Sequence, residues 1–225
     1  MVADISGRRV AAGSSALALF LLALAGCTEN AKIDATLPPA AEAAHDEPID
    51  RPSSRVGDLG QEDLPEPADL GPNWNYRVDN GNAEDGYVGS GQPATAREPE
   101  SVLAAITPLG CRPGDLPRPE SALEVTYAKG NLPGVALVLR FGDDQTASNF
   151  FAKHSRVLTR CVGSRGVDLA VEEASDRLIV TTRTEQLGET PVWTEGVGLR
   201  GDEVMLIAVA DPSPAGVRSV ISALA

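Results

Sequence analysis

Apolar and polar residues fall into blocks along this chain, and each block predicts an element. The first block, Val10 to Ala23, is a mostly apolar run behind Arg8 and Arg9. Residues 28 to about 61 follow, dominated by Ala, Pro, Glu and Asp and free of aromatic residues. Such a segment cannot bury enough apolar surface to offset its ordering entropy, so 27–61 reads as a disordered, acidic and Pro-rich tether. Trp74 and Tyr76 are the first aromatic residues after it. Aromatic side chains mark packing, which puts the start of a folded domain near residue 62. Residues 79–96 then collect Asp, Asn, Gly and Ser and predict a mobile loop.

From residue 97 the periodicity is regular. Glu98 to Thr107 predicts a short helix with Val102, Leu103 and Ile106 on one side. Ala122 to Tyr127 alternates, Gly134 to Phe141 is nearly all apolar, and Asn131 to Gly134 lies between them. This predicts a hairpin with a loop longer than two residues. Asp143 or Asp144 starts the clearest helix, where Ala147, Phe150, Phe151, His154, Leu158 and Cys161 recur at three- and four-residue steps. Gly163 follows as a stop signal. Four strands are expected next, at Val167 to Glu173, Arg177 to Thr184, Val192 to Leu199 and Val204 to Ala210. Pro212 to Pro214 opens a last helix with Val217, Val220, Ile221 and Leu224 as its apolar stripe. Short connections favour an α+β domain over 62–225: an antiparallel sheet of about five to six strands, with its helices on one face.

Charge sharpens this division. The chain carries −13 overall, with −10 in residues 28–96 and only −4 in residues 97–225. The acidity therefore belongs mainly to the tether. Nucleic acid is excluded as a partner, because a basic footprint is missing.

The N-terminal block has the three parts of a secretory signal peptide, residues 1–26. A membrane-spanning helix needs about 20 apolar residues, and only about 16 are present here. Its ending, Leu24-Ala25-Gly26-Cys27, resembles the lipobox of bacterial lipoproteins. That resemblance implies cleavage before Cys27 and a lipid on its sulfur, with the membrane as partner through that anchor. Cys111 and Cys161 remain, an even pair in an exported chain, and read as a disulfide. Two free buried thiols are the alternative.

Catalytic signatures are absent from the sequence. Gly89-Ser90-Gly91 lacks the spacing and the preceding strand of a nucleophile elbow. The acidic residues from Asp79 to Asp85 miss the alternating ligand positions of a calcium loop and read as a solvated loop. His45 lies in the tether, and His154 on an apolar helix stripe is expected to be a satisfied core residue. No metal site or cofactor is implied, since further His or Cys ligands are missing. Glu172 and Glu173 are adjacent in a strand, should face opposite ways, and read as a charged rim. Trp74 is expected in the core. Trp193, beside the segment 185–191, is the candidate ligand-binding residue, in a cleft bordered by that segment and by 79–96.

The acidic helix start at Asp143, then Ala147, Phe150-Phe151 and Cys161, resembles the extracellular sensor domain of mycobacterial PknH-type kinases and of related actinobacterial lipoproteins. Cys111, the strand pair before the helix, the helix at Ala215 to Leu224, and Gly71-Pro72-Asn73-Trp74 are similar too. Two features depart from that pattern: those kinase domains carry two disulfides, and Thr159 stands where Trp is frequent. The resemblance implies a sheet flanked by helices around a cleft. With the anchor, it leads to an expectation of a non-enzymatic ligand-binding or sensor-like lipoprotein on the extracytoplasmic side of the cell membrane. Its expected ligand is a small molecule or cell-wall fragment. A carrier of lipid or another apolar molecule is the alternative, and the oligomeric state is left open.

Overall fold

Two long strands, the first alternating and the second nearly all apolar, fold back on each other and set the frame. Strands β3 (Ser121–Lys129) and β4 (Leu132–Arg140) pair from Ser121↔Arg140 to Lys129↔Leu132. The structure is a computed structural model, and it describes residues 52–78, 80–81, 89–106, 111, 115–162, 167–185 and 191–224. The other strands are β1 (Asn75–Tyr76), β2 (Ala94–Arg97), β5 (Val167–Ala174), β6 (Leu178–Glu185), β7 (Trp193–Arg200) and β8 (Glu203–Val209). They form one sheet of eight strands in the order β1-β3-β4-β8-β7-β6-β5, with β2 also paired to β3. Every ladder is antiparallel. The helices are α1 (Pro99–Ala105), α2 (Asp144–Cys161) and α3 (Ala215–Leu224). The α+β class is as expected, and the strand count is higher.

The two additional strands come from segments without a strand pattern. Residues 94–97 read Ala-Thr-Ala-Arg, and composition predicts a loop up to residue 96. They pair instead with the outer edge of β3, from Ala94↔Val125 to Arg97↔Ala122, and β1 covers the next part of that edge. An open β3 edge supplies the ladder partners that a four-residue stretch cannot announce by itself. The hairpin loop is also tighter than expected. It is the two-residue turn Gly130-Asn131, with Gly130 at φ +63°. Glycine at the first central position suits such a turn. Pro133 lies inside β4, and its carbonyl accepts from the Ala210 N–H at 2.9 Å.

Both faces of the sheet are packed, which corrects the expectation of helices on one face. One apolar cluster joins Ala147, Phe150, Phe151 and Leu158 of α2 and Val102 of α1 to Leu137, Leu139, Val197 and Leu199 of the sheet. The other joins Val217, Val220 and Ile221 of α3 to Leu123, Val125, Val138, Val180 and Ile207. Leu59, inside the expected tether, is fully buried in this second cluster with Leu64, Leu70 and Trp74. Tyr127 is wholly buried there, and its hydroxyl donates to the Pro65 carbonyl at 2.6 Å, which ties this segment to β3. Both clusters lie within one compact unit, residues 46–225.

Candidate functional site

The face that carries α1 and α2 is not filled along its whole length. Between the two helices and the sheet lies a cleft of about 340 Å³. Its floor is apolar, with Leu137 of β4, Leu206 of β8 and Val197 of β7. Val102 and Ile106 at α1, with Leu158 of α2, form the opposite wall. The Cys111–Cys161 disulfide, with Cα atoms 5.5 Å apart, joins the segment after α1 to the end of α2. It therefore braces the two helices that roof the cleft.

Charged residues flank the apolar strip on both sides. Register places Arg183 of β6 opposite Trp193 of β7, and Thr181 opposite Glu195. Residues two apart in a strand share a face, so Arg183, Trp193 and Glu195 all line the cleft. Arg183 Nη2 lies 2.8 Å from Glu195 Oε1, and both side chains are largely buried. The Arg183 guanidinium also stands 5.9 Å from the centre of the half-buried Trp193 ring, within cation–π range. On the far side Arg97 Nε lies 3.6 Å from a Glu124 carboxylate oxygen. Among the described residues, each flank thus carries an acid–base pair.

His154 borders the same cleft and is 2% exposed. Its ring stacks on Phe150 at 5.8 Å, with 7° between the planes. Neither ring nitrogen has a hydrogen-bond partner of sound geometry among the described residues. Burial pushes its pKa down to about 4, and the nearby Ile106 backbone opposes this only weakly. The residue is a core histidine as expected, with the Ile106 backbone beside its ring as the neighbouring polar group.

Other candidates fall as follows. Cys111 and Cys161 are bonded. Trp193 lines the cleft, while Trp74 is 5% exposed in the opposite cluster. Cys27, the expected signal peptide, His45 and the expected tether up to residue 51 lie outside the described residues, as do 79, 82–88 and 186–190. A register shift between Val171 and Glu173 places a bulge at the acidic pair. Glu172 accepts from Thr182 Oγ1 at 2.7 Å, and Glu173 pairs with Arg218 of α3 at 2.8 Å. Both therefore serve the α3 side, contrary to the expectation of opposite faces, because a bulge breaks the alternation. No cluster that could hold a metal ion occurs among the described residues. The flanking charges were missed from sequence. Their signal was parity: Arg183 and Glu195 occupy strand positions in phase with the core residues Ile179 and Val197.

No protein-family profile matches the chain, and no curated protein does. Among solved structures the fold is similar to the crystal structure of the extracellular domain of PknH from Mycobacterium tuberculosis. That match has 11% identity and a TM-score of 0.44, and covers 74% of this chain and 91% of that one. An uncharacterized protein from Mycobacterium smegmatis is also similar, with 11% identity and a TM-score of 0.34, over 69% of this chain and 96% of that one.

Proposed function

We propose that this chain is a lipid-anchored, extracytoplasmic binding module, non-enzymatic and sensor-like, whose ligand enters the cleft between the sheet and helices α1 and α2. The observation that carries the reading is the cleft itself. It has an apolar floor, paired charges on its flanks and an indole at its border, and a disulfide holds the end of α2, one of the helices that roof it. Small-molecule sites are mostly apolar concavities of about 300–1,000 Å³ with a few fixed polar groups. The anchor reading rests on Leu24-Ala25-Gly26-Cys27. No helix among the described residues is long and apolar enough to cross a membrane. A carrier of lipid or another apolar molecule is the second reading: the Leu and Val lining favours it, and a volume of about 340 Å³, near the lower end of the range for small molecules, restricts it to a small cargo.

The test uses the chain from residue 28 onward, which contains the whole compact unit. Titration with cell-wall fragments, lipids and small metabolites should give a saturable fluorescence change that Trp193→Phe abolishes. A folded protein that responds to none of these classes would overturn the reading and favour a protein partner.

A further inference from the structure

The cleft offers charge only at its two ends. Register lays Glu124 of β3, Leu137 of β4, Leu206 of β8 and Val197 of β7 side by side across the sheet. Three strand spacings separate the ends of this row, about 14 Å. All four side chains line the cleft, and beyond Glu124 the row presents only carbon. The roof above it is mostly apolar too, and the His154 ring nitrogens are buried. An apolar strip therefore runs across the strands from one charged pair towards the other.

The two ends are not equivalent. Arg183 directs both Nε and Nη2 to Glu195 Oε1 at 2.8 Å, and the two side chains are only 12% and 15% exposed. A ligand that parted this pair would strand a buried charge. Arg97 and Glu124 are 41% and 26% exposed and approach only to 3.6 Å, beyond hydrogen-bond length. Among the described residues the Arg97 guanidinium donates no hydrogen bond. Glu124 has a further contact of its own, so this end is better placed to answer an anion than a cation. We propose that the cleft takes a single-chain carboxylate, whose extended apolar chain lies across the strands on Leu137, Leu206 and Val197 while its carboxylate bonds Arg97. This deepens the binding-module reading and rests on it.

The choice of head group follows from the donors. A planar guanidinium presents paired N–H groups that match the two oxygens of a carboxylate. Partial exposure keeps that carboxylate in touch with water, so its desolvation costs less than at the Arg183 end. Decanoate is comparable in length to the row.

The probes are hexanoate, octanoate and decanoate, with 1-decanol and decyltrimethylammonium as head-group controls. All are kept below their micelle concentrations and titrated by calorimetry into the chain from residue 28 onward. Affinity should rise about fourfold per added methylene from hexanoate to decanoate, as burial of the chain predicts. Arg97→Gln should weaken decanoate about tenfold or more and leave 1-decanol nearly unchanged, since a charge-assisted bond is lost. Arg97→Lys, which keeps the charge without the fork, should fall between. Circular dichroism checks that both variants are folded.

Equal weakening of decanoate and 1-decanol by Arg97→Gln, or no weakening of either, would overturn the head-group assignment. Tighter binding of decyltrimethylammonium than of decanoate would overturn the charge class. An affinity independent of chain length would overturn the placement of the chain. If none of the probes binds, the inference fails as a whole, while a saturable response to cell-wall fragments or metabolites would leave the binding module standing.

Discussion

At the scale of single residues, His154 has the largest consequence for stability. Its pKa in the folded protein is about 4, below the ordinary 6.5. The unfolded chain therefore takes up this proton first as the pH falls. Stability is full above about pH 6.5 and is lost progressively down to about pH 4, by up to about 3 kcal/mol. Urea unfolding at a series of pH values should show this loss in the natural chain, and His154→Leu should lack it. The variant should also be the more stable at acidic pH. Parallel profiles for the two proteins would show that His154 is not the group concerned. Arg97, Glu124, Arg183 and Glu195 line the same cleft and are common to both proteins, so the difference isolates the imidazole. The burial of this residue was legible, because it sits in phase with Phe150 and Leu158 on the α2 stripe. Its polar surroundings were not, because the Ile106 backbone beside it is brought there by the end of α1.

Among the elements, α2 is the one most fully written in the sequence. The six residues of its expected stripe, Ala147, Phe150, Phe151, His154, Leu158 and Cys161, are its buried residues. Asp143 caps it, accepting from the Thr146 N–H at 2.6 Å, as its position predicted. Helix α3 docks more tightly than its pattern shows. A Cβ on Gly196 of β7 would lie 2.5 Å from Val217 Cγ1 and 2.8 Å from Ile221 Cγ1. The absence of side chains at Gly196 and Gly198 thus lets the helix approach the strand. Gly196→Ala should destabilise the domain by about 1–3 kcal/mol through overpacking. Adding Val217→Ala should recover part of that loss, since it removes the atom in the way. Chemical denaturation of the single and double variants measures both effects. Strictly additive losses would place the strain elsewhere. Strands β1 and β2 were illegible because Asn75-Tyr76 and Ala94–Arg97 are too short to show a period. Only the open edge of β3 gives them a ladder.

Across the whole molecule, the Cys111–Cys161 disulfide and the proposed lipid site at Cys27 bear on how the chain is held. The Cys111–Cys161 bond closes a separation of 50 residues. Cys161→Ser should cost about 2–5 kcal/mol and lower the melting temperature. It should also weaken cleft ligands by freeing the roof, whereas an unchanged melting temperature would remove the bond from the stability argument. Cys27→Ala should leave the chain unprocessed or release it from the membrane fraction, since stable anchoring takes two acyl chains. Unchanged detergent-phase partitioning and processing would defeat the lipobox reading. What the sequence determined by itself is local: the α+β class, the helix stripes, the alternation of β3 and the cysteine pair. These follow from periods of 3.6 and 2.0 residues and from parity, which neighbouring residues carry. Only the tertiary structure decided that α3 packs on the opposite face from α2, that Leu59 joins the core, and that β4 lies beside β8. It also decided that Arg183, Glu195, Trp193 and His154 meet around one cleft. Those outcomes depend on which distant surfaces come together and where they leave space, and that arrangement has no period along the chain.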